Sequence, residues 1–296
     1  MAISDNARGA IYMNVSMAAF TLNDTAMKAV TQSLPLFEAI MLRGLLATVG
    51  LIVLGLAMGS LRWNLSARDR VVIAIRSLAE VGGTALFLGA LIHMPLANLS
   101  AILQALPLAV TLAAALFLKE TIGWRRMVAI IVGFIGVLII IRPGPDGFDV
   151  WSLMGLGSVA CVVVRDLSTR FLSRDVPSVN VAVAASIAVT LMGGIVTGVK
   201  GWQPITQTEG LLVCAAAFAL LFGYMFSVMV MRIGDIGFVA PFRYTALLWA
   251  IFLGWVFFGA FPDELTLLGA SLVVGSGIFT LVRERNMKKR QLPARL

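Results

Sequence analysis

The sequence predicts an all-α integral membrane protein of ten transmembrane helices, arranged as two inverted five-helix repeats. Three observations carry that prediction. First, 59% of the 296 residues are hydrophobic, only 13% are charged, and the mean hydropathy is +0.95. A soluble domain usually holds about 25% charged residues, so the apolar excess, which runs the whole length, requires lipid as its solvent. Second, the apolar runs between charged and turn residues are each close to the roughly 20 residues that cross a ~30 Å hydrocarbon layer. Third, the chain repeats a pattern at about half its length. Asp24-x-x-x-Lys28 corresponds to Asp166-x-x-x-Arg170, and each is followed seven residues later by proline, Pro35 or Pro177. The run through Ala129 and Gly136 similarly corresponds to that through Gly269 and Ser276.

The predicted spans are 8–30, 35–59, 70–92, 95–118, 123–141, 151–172, 178–198, 209–231, 237–260 and 264–282. The first run, interrupted by Asn14, Asn23 and Asp24, has no basic leader and no cleavage signal, and is expected to be a retained helix. Pro35, Pro95, Pro143, Pro177, Pro204 and Pro262 fall at or near span ends, where a missing N–H is harmless. Pro107 and Pro241 are expected inside the fourth and ninth helices. Helices five and ten, with Ala129, Gly133, Gly136, Gly269, Ser271, Gly275 and Gly277, have the small residues of a close-packed scaffold.

The formal charge of +8 is a matter of topology rather than of nucleic-acid binding. Arginine and lysine concentrate in alternate loops, around Arg62 to Arg70, Lys119 to Arg126, Arg170 to Arg174, and in the tail Arg283 to Arg295. The opposite side holds only Lys28, Arg142 and Lys200, so both termini are expected in the cytoplasm and the protein in the inner membrane. The basic tail is also placed to touch anionic lipid. An odd number of spans per half makes the copies cross in opposite senses, with a substrate site near the midplane. The halves are 1–143 and 144–296.

Several residues resemble a known family. Leu22-Asn-Asp-Thr-Ala-Met-Lys28 and Leu42-Arg43 resemble the opening of EamA-type members of the drug/metabolite transporter superfamily. Ala105-Leu-Pro107, Leu118-Lys-Glu120, Gly123-Trp-Arg-Arg126, Gly133-Phe-Ile-Gly136 and Ile141-Arg-Pro143 extend the resemblance. The second copy departs from the pattern, with Ala260 near the place of Glu120. The resemblance implies ten helices in an inverted five-plus-five repeat and export of amino acids, hydrophobic and aromatic ones included, and related metabolites. The opening motif also resembles members that carry S-adenosylmethionine or riboflavin. Gln104 and Leu106, instead of aromatics, precede Pro107 and weaken a reading restricted to aromatic amino acids.

Ionisable groups inside a bilayer cost about 2.5–3.5 kcal/mol on insertion scales, so those that persist face a cavity or a partner. Arg76 and Glu80, one turn apart in helix three, can pair across that turn and are candidates for substrate binding. Arg43, Arg165 and Arg243 offer planar donor forks for a substrate carboxylate, Arg243 foremost because Pro241 and Tyr244 adjoin it. Gln104 and Tyr224 can orient a polar solute. Asp24 with Lys28 and Asp166 with Arg170 are candidate gates or proton-coupling groups, against the plainer reading of intrahelical pairs. Arg165 and Asp166, adjacent on a helix, are expected to point apart. The lone His93 is expected in an outer loop.

Cys161 and Cys214 lie in apolar stretches and give no metal spacing. No metal or cofactor is expected. The chain has no GxxxxGK[ST] loop and no HExxH or GxSxG signature, which disfavours a primary pump and an enzyme. The rival of another class is an intramembrane enzyme. The expected partners are a small-molecule substrate, lipid and coupling protons, with no nucleic acid; the sequence is silent on oligomeric state.

Overall fold

The computed structural model describes residues 4–61, 64–119, 123–144, 149–173, 175–230 and 236–291. Arg62, Glu120, Arg174 and Arg295, used in the sequence reading, lie outside these. The elements are helical: α1 Asp5–Val30, α2 Leu36–Ala57, α3 Ala67–His93, α4 Leu96–Leu103, α5 Leu106–Leu118, α6 Trp124–Ile141, α7 Val150–Thr169, α8 Ser178–Lys200, α9 Gln207–Val230, α10 Ile236–Val239, a 3-10 turn Ala240–Tyr244, α11 Thr245–Phe258 and α12 Glu264–Gln291. Among the described residues nine stretches are long and apolar enough to cross a membrane, with α4 and α5 counted together as Leu96–Leu118 and the 3-10 turn with α11 as Ala240–Phe258. The first predicted span, α1, has 26 residues, or about 39 Å of helix, but Asn14, Ser16, Asn23, Asp24 and Lys28 dilute its apolar content.

Local chemistry sets the boundaries. Pro35, Pro95 and Pro177 are the N-caps of α2, α4 and α8, where no backbone N–H is required. Ser66 caps α3 by accepting the Asp69 amide at 3.1 Å, and the Asp69 carboxylate takes the Ser173 amide at 3.0 Å, so α3 starts against the chain that follows α7. The expectation of two continuous helices around Pro107 and Pro241 is corrected. Each proline opens a new helical segment: Pro107 stands in the first turn of α5 after a break at Gln104–Ala105, and Pro241 in the 3-10 turn before α11. A first-turn proline loses no helical hydrogen bond, whereas an interior one does.

The chain forms two compact units. One comprises Met1–Thr21, Pro95–Asp149 and Phe222–Leu296; the other comprises Leu22–Met94 and Val150–Leu221. In the first, α6 packs along α12 and α4 along α11. A Cβ added to Gly136 would lie 2.6 Å from the Gly269 carbonyl oxygen, and one on Gly269 would lie 2.6 Å from that of Gly136, so the two backbones touch through mutual glycines. In the second unit α2 packs on α8 and α3 on α7 and α8. Thr48 Oγ1 is hydrogen-bonded to Ser186 Oγ at 2.8 Å and lies 3.4 Å from Thr190 Oγ1, while Gly44 leaves room for Thr190.

Candidate functional site

In the first unit, α1 and α9 build an aromatic face. Gly223 makes this approach possible, because a Cβ there would fall 2.9 Å from the Phe20 ring, and Ser16 Oγ donates to the Gly223 carbonyl at 2.8 Å. Phe20 then meets Tyr224 edge to face with centroids 5.5 Å apart, and Tyr12 meets Phe226 at the same separation. Trp249 of α11 donates its indole N–H to Asn14 Oδ1 at 2.8 Å. All six of these side chains, Tyr12, Asn14, Phe20, Tyr224, Phe226 and Trp249, are only partly buried, so their surfaces remain available. Such a set offers ring faces for stacking together with a few polar handles. Of these only Tyr224 was singled out from the sequence. Tyr12 and Phe20 fall on the α1 face that meets α9 and Asn14 on that which meets α11, a spacing visible in the sequence only once the partner helices are known.

The second unit holds the ionisable groups. Asn23 Nδ2 donates to Asp24 Oδ1 at 2.9 Å, and the buried Arg43 donates to Asn23 Oδ1 at 3.2 Å, which places a carboxylate, an amide and a guanidinium in one chain of bonds. Lys28 turns to the C-terminal end of α3, donating to the carbonyls of Leu91 and Met94, the latter at 2.7 Å. A cation suits that negative helix end.

Glu80 is shared. Its closest cation is Arg165 of α7 at 3.3 Å, while Arg76 on its own helix reaches only 4.0 Å and donates to Thr169 Oγ1 at 3.1 Å. Arg165 also bonds Asp166 at 2.9 Å, which corrects the expectation that adjacent residues diverge. The Cβ atoms do diverge, but the arginine stem is long enough to curl back to its neighbour. Asp166 thus takes Arg165, while Arg170 is exposed. Glu80, Arg165 and Asp166 tie α3 to α7.

The remaining candidates separate. Arg243 is exposed on the 3-10 turn, whereas Tyr244 is 4% exposed and its hydroxyl has no hydrogen-bond partner among the described residues. Gln104 is the C-cap of α4, at the break before Pro107. His93 is the last residue of α3, stacked on Trp151 at 3.5 Å, and not a loop residue. A carboxylate absent from the sequence reading, Glu38 in the first turn of α2, is fully buried and accepts the Gln203 amide at 3.2 Å. No cluster of three or more histidine, cysteine, aspartate or glutamate residues that could hold a metal occurs among the described residues.

Helices broken near proline and polar groups set between apolar spans are features that secondary transporters share. The sequence profile of the EamA-like transporter family matches residues 7–142. A riboflavin transporter of Vibrio cholerae is 30% identical over 220 residues, covering 73% of each chain. The pseudopaline exporter CntI of Pseudomonas aeruginosa is 27% identical over 86% of this chain and 89% of its own. An S-adenosylmethionine uptake transporter of Rickettsia prowazekii is 23% identical over 94% of this chain and 93% of its own. A crystal structure of a protein 20% identical in sequence superposes with a TM-score of 0.62, covering 93% of this chain and 98% of that one, so the fold is shared. The chain belongs to the EamA-like transporter family of the drug/metabolite transporter superfamily.

Proposed function

We propose that the protein is a secondary transporter of a small ring-bearing metabolite, working by alternating access of two inverted repeats, 1–143 and 144–296, in the inner membrane with both termini cytoplasmic. The observation that carries the substrate class is the aromatic face of Tyr12, Phe20, Tyr224, Phe226 and Trp249 with Asn14 among them. Ring stacking contributes about 1–3 kcal/mol per ring in comparable platforms. Riboflavin and S-adenosylmethionine, cargoes in the relatives' names, both contain a flat heteroaromatic ring.

Reciprocal contacts support the inverted repeat. Thr48 and Thr190 are 142 residues apart, the shift that relates Asp24 to Asp166, and they touch each other; Gly44 faces Thr190 while Thr48 bonds Ser186. Mutual contact of equivalent positions is what a two-fold axis produces. Export of free amino acids is the second reading. It is favoured by the Asp24–Asn23–Arg43 chain, which sets opposite charges where a zwitterion's ammonium and carboxylate can bind. In either case Glu80, Asp24 and Asp166 are the groups for proton coupling.

The test is uptake and counterflow in proteoliposomes offered labelled riboflavin, S-adenosylmethionine or an amino-acid mixture, with and without a pH gradient. Saturable movement of a ring-bearing solute is expected, with Tyr224→Ala raising its KM about tenfold, the equivalent of ~1.4 kcal/mol of lost stacking. Movement of amino acids alone transfers the assignment to the second reading. Absence of any movement reopens an intramembrane enzyme. Proton coupling is rejected if the pH-gradient dependence survives in Glu80→Gln, Asp24→Asn and Asp166→Asn alike.

A further inference from the structure

The α6–α12 scaffold has a feature that transport of a solute does not explain. A groove of about 680 Å³ runs between the two helices, with apolar walls that include Val128, Val132, Leu272 and Phe279. One end is different: it is lined by Trp124 and Arg125 of the first turn of α6 and by Arg283, where the apolar stretch of α12 stops. Neither arginine has a carboxylate partner among the described residues, and the Arg125 guanidinium lies 5.1 Å from the centroid of the Trp124 ring.

Along α12 the groove extends from Ser271 to Arg283, about 18 Å at 1.5 Å per residue, close to the ~15 Å of hydrocarbon in one leaflet. Within hydrocarbon such a groove is filled by lipid, because an empty one forfeits its dispersion contacts and water finds no polar partners there. A second groove of about 650 Å³, between α12 and the segment from Pro241 to Ile251, shares Ser271 and Gly275 with the first. A ridge of two small exposed residues therefore separates two apolar channels, a shape that two acyl chains can straddle. The basic end lies on the side to which the positive-inside rule assigns the arginine-rich loops, where the leaflet is anionic.

We propose that the α6–α12 groove is a binding site for an anionic phospholipid, whose phosphate is held between Arg125 and Arg283 and whose acyl chain lies along the groove. Tryptophan at the rim suits the headgroup level, and a guanidinium pair matches phosphate geometry. The site depends on the protein being embedded in a membrane and not on which solute it moves.

The experiment is native mass spectrometry of the full chain in detergent, titrated separately with dioleoylphosphatidylglycerol and dioleoylphosphatidylcholine. The wild type is expected to retain phosphatidylglycerol at least tenfold more tightly. The double variant Arg125→Gln/Arg283→Gln loses that preference, at roughly fivefold per arginine. Restoring charge in Arg125→Lys/Arg283→Lys recovers part of it, which separates loss of charge from misfolding. Gly275→Leu, at a position with no neighbouring atom within 4 Å, fills the groove and weakens both lipids without lowering the melting temperature. Equal binding of the two lipids, or a preference that survives in the glutamine double variant, overturns the site. So does an equal loss in Arg70→Gln, which removes an exposed charge elsewhere, or competition by glycerol phosphate as effective as that by whole lipid.

Discussion

Gly136 and Gly275 stand on facing scaffold helices and are both small, yet they carry opposite expectations. A methyl on Gly136 has the Gly269 backbone oxygen at 2.6 Å, and a backbone atom in a packed helix pair cannot retreat cheaply, whereas nothing lies within 4 Å of one on Gly275. Gly136→Ala is expected to destabilise by about 1–3 kcal/mol and Gly275→Ala by less than ~0.5 kcal/mol, read from thermal melts in detergent. At the charged cluster, a double-mutant cycle between Glu80→Gln and Arg165→Gln should return a coupling of about 0.5–1 kcal/mol, since both side chains are only partly shielded. The Arg76–Glu80 cycle should return close to zero at 4.0 Å. That ranking reverses the one that helical spacing alone suggests. Asp24, Glu80 and Asp166 were legible as unusual because carboxylates in apolar runs are costly wherever the run folds. Their partners were not: Arg165 lies 85 residues from Glu80 in the chain, and only packing of α3 on α7 joins them.

At the scale of elements, the apolar runs located nearly every helix to within a few residues, because span length is fixed by bilayer thickness. Two departures have clear causes. α12 continues to Gln291, past the predicted end at 282, since beyond the apolar stretch the chain meets no glycine or proline and remains a good helix former in water. The fourth and ninth runs are each divided near their proline. Those breaks leave backbone groups outside regular helix, and in transporters such segments are where helices bend as access changes. Pro107→Ala adds a backbone N–H in the first turn of α5 that can reach the Leu103 carbonyl and carry the helix through the Gln104–Ala105 break. The expected result is transport slowed several-fold with a melting temperature changed by no more than a few degrees, since a continuous helix loses its hinge. Unchanged transport in this variant would remove the break from the mechanism.

For the whole molecule, topology is the prediction that the sequence supports most directly. A green fluorescent protein fused after Leu296 is expected to fluoresce in the cytoplasm, and alkaline phosphatase inserted after Lys200 to be active outside it; the reverse pattern would invert the assignment. The sequence by itself determined the membrane environment, the approximate limits of the apolar runs, and the family resemblance, because each depends on composition and spacing along the chain. Only the tertiary structure decided which segments share a unit. The two compact units each draw on both halves of the sequence, so Asn14 meets Trp249 and Glu80 meets Arg165 through contacts that no local pattern encodes. The physical reason is that hydropathy acts on one helix at a time, requiring only that each find lipid or a neighbour. The choice of neighbour rests on where glycines such as Gly136, Gly223 and Gly269 let two backbones meet.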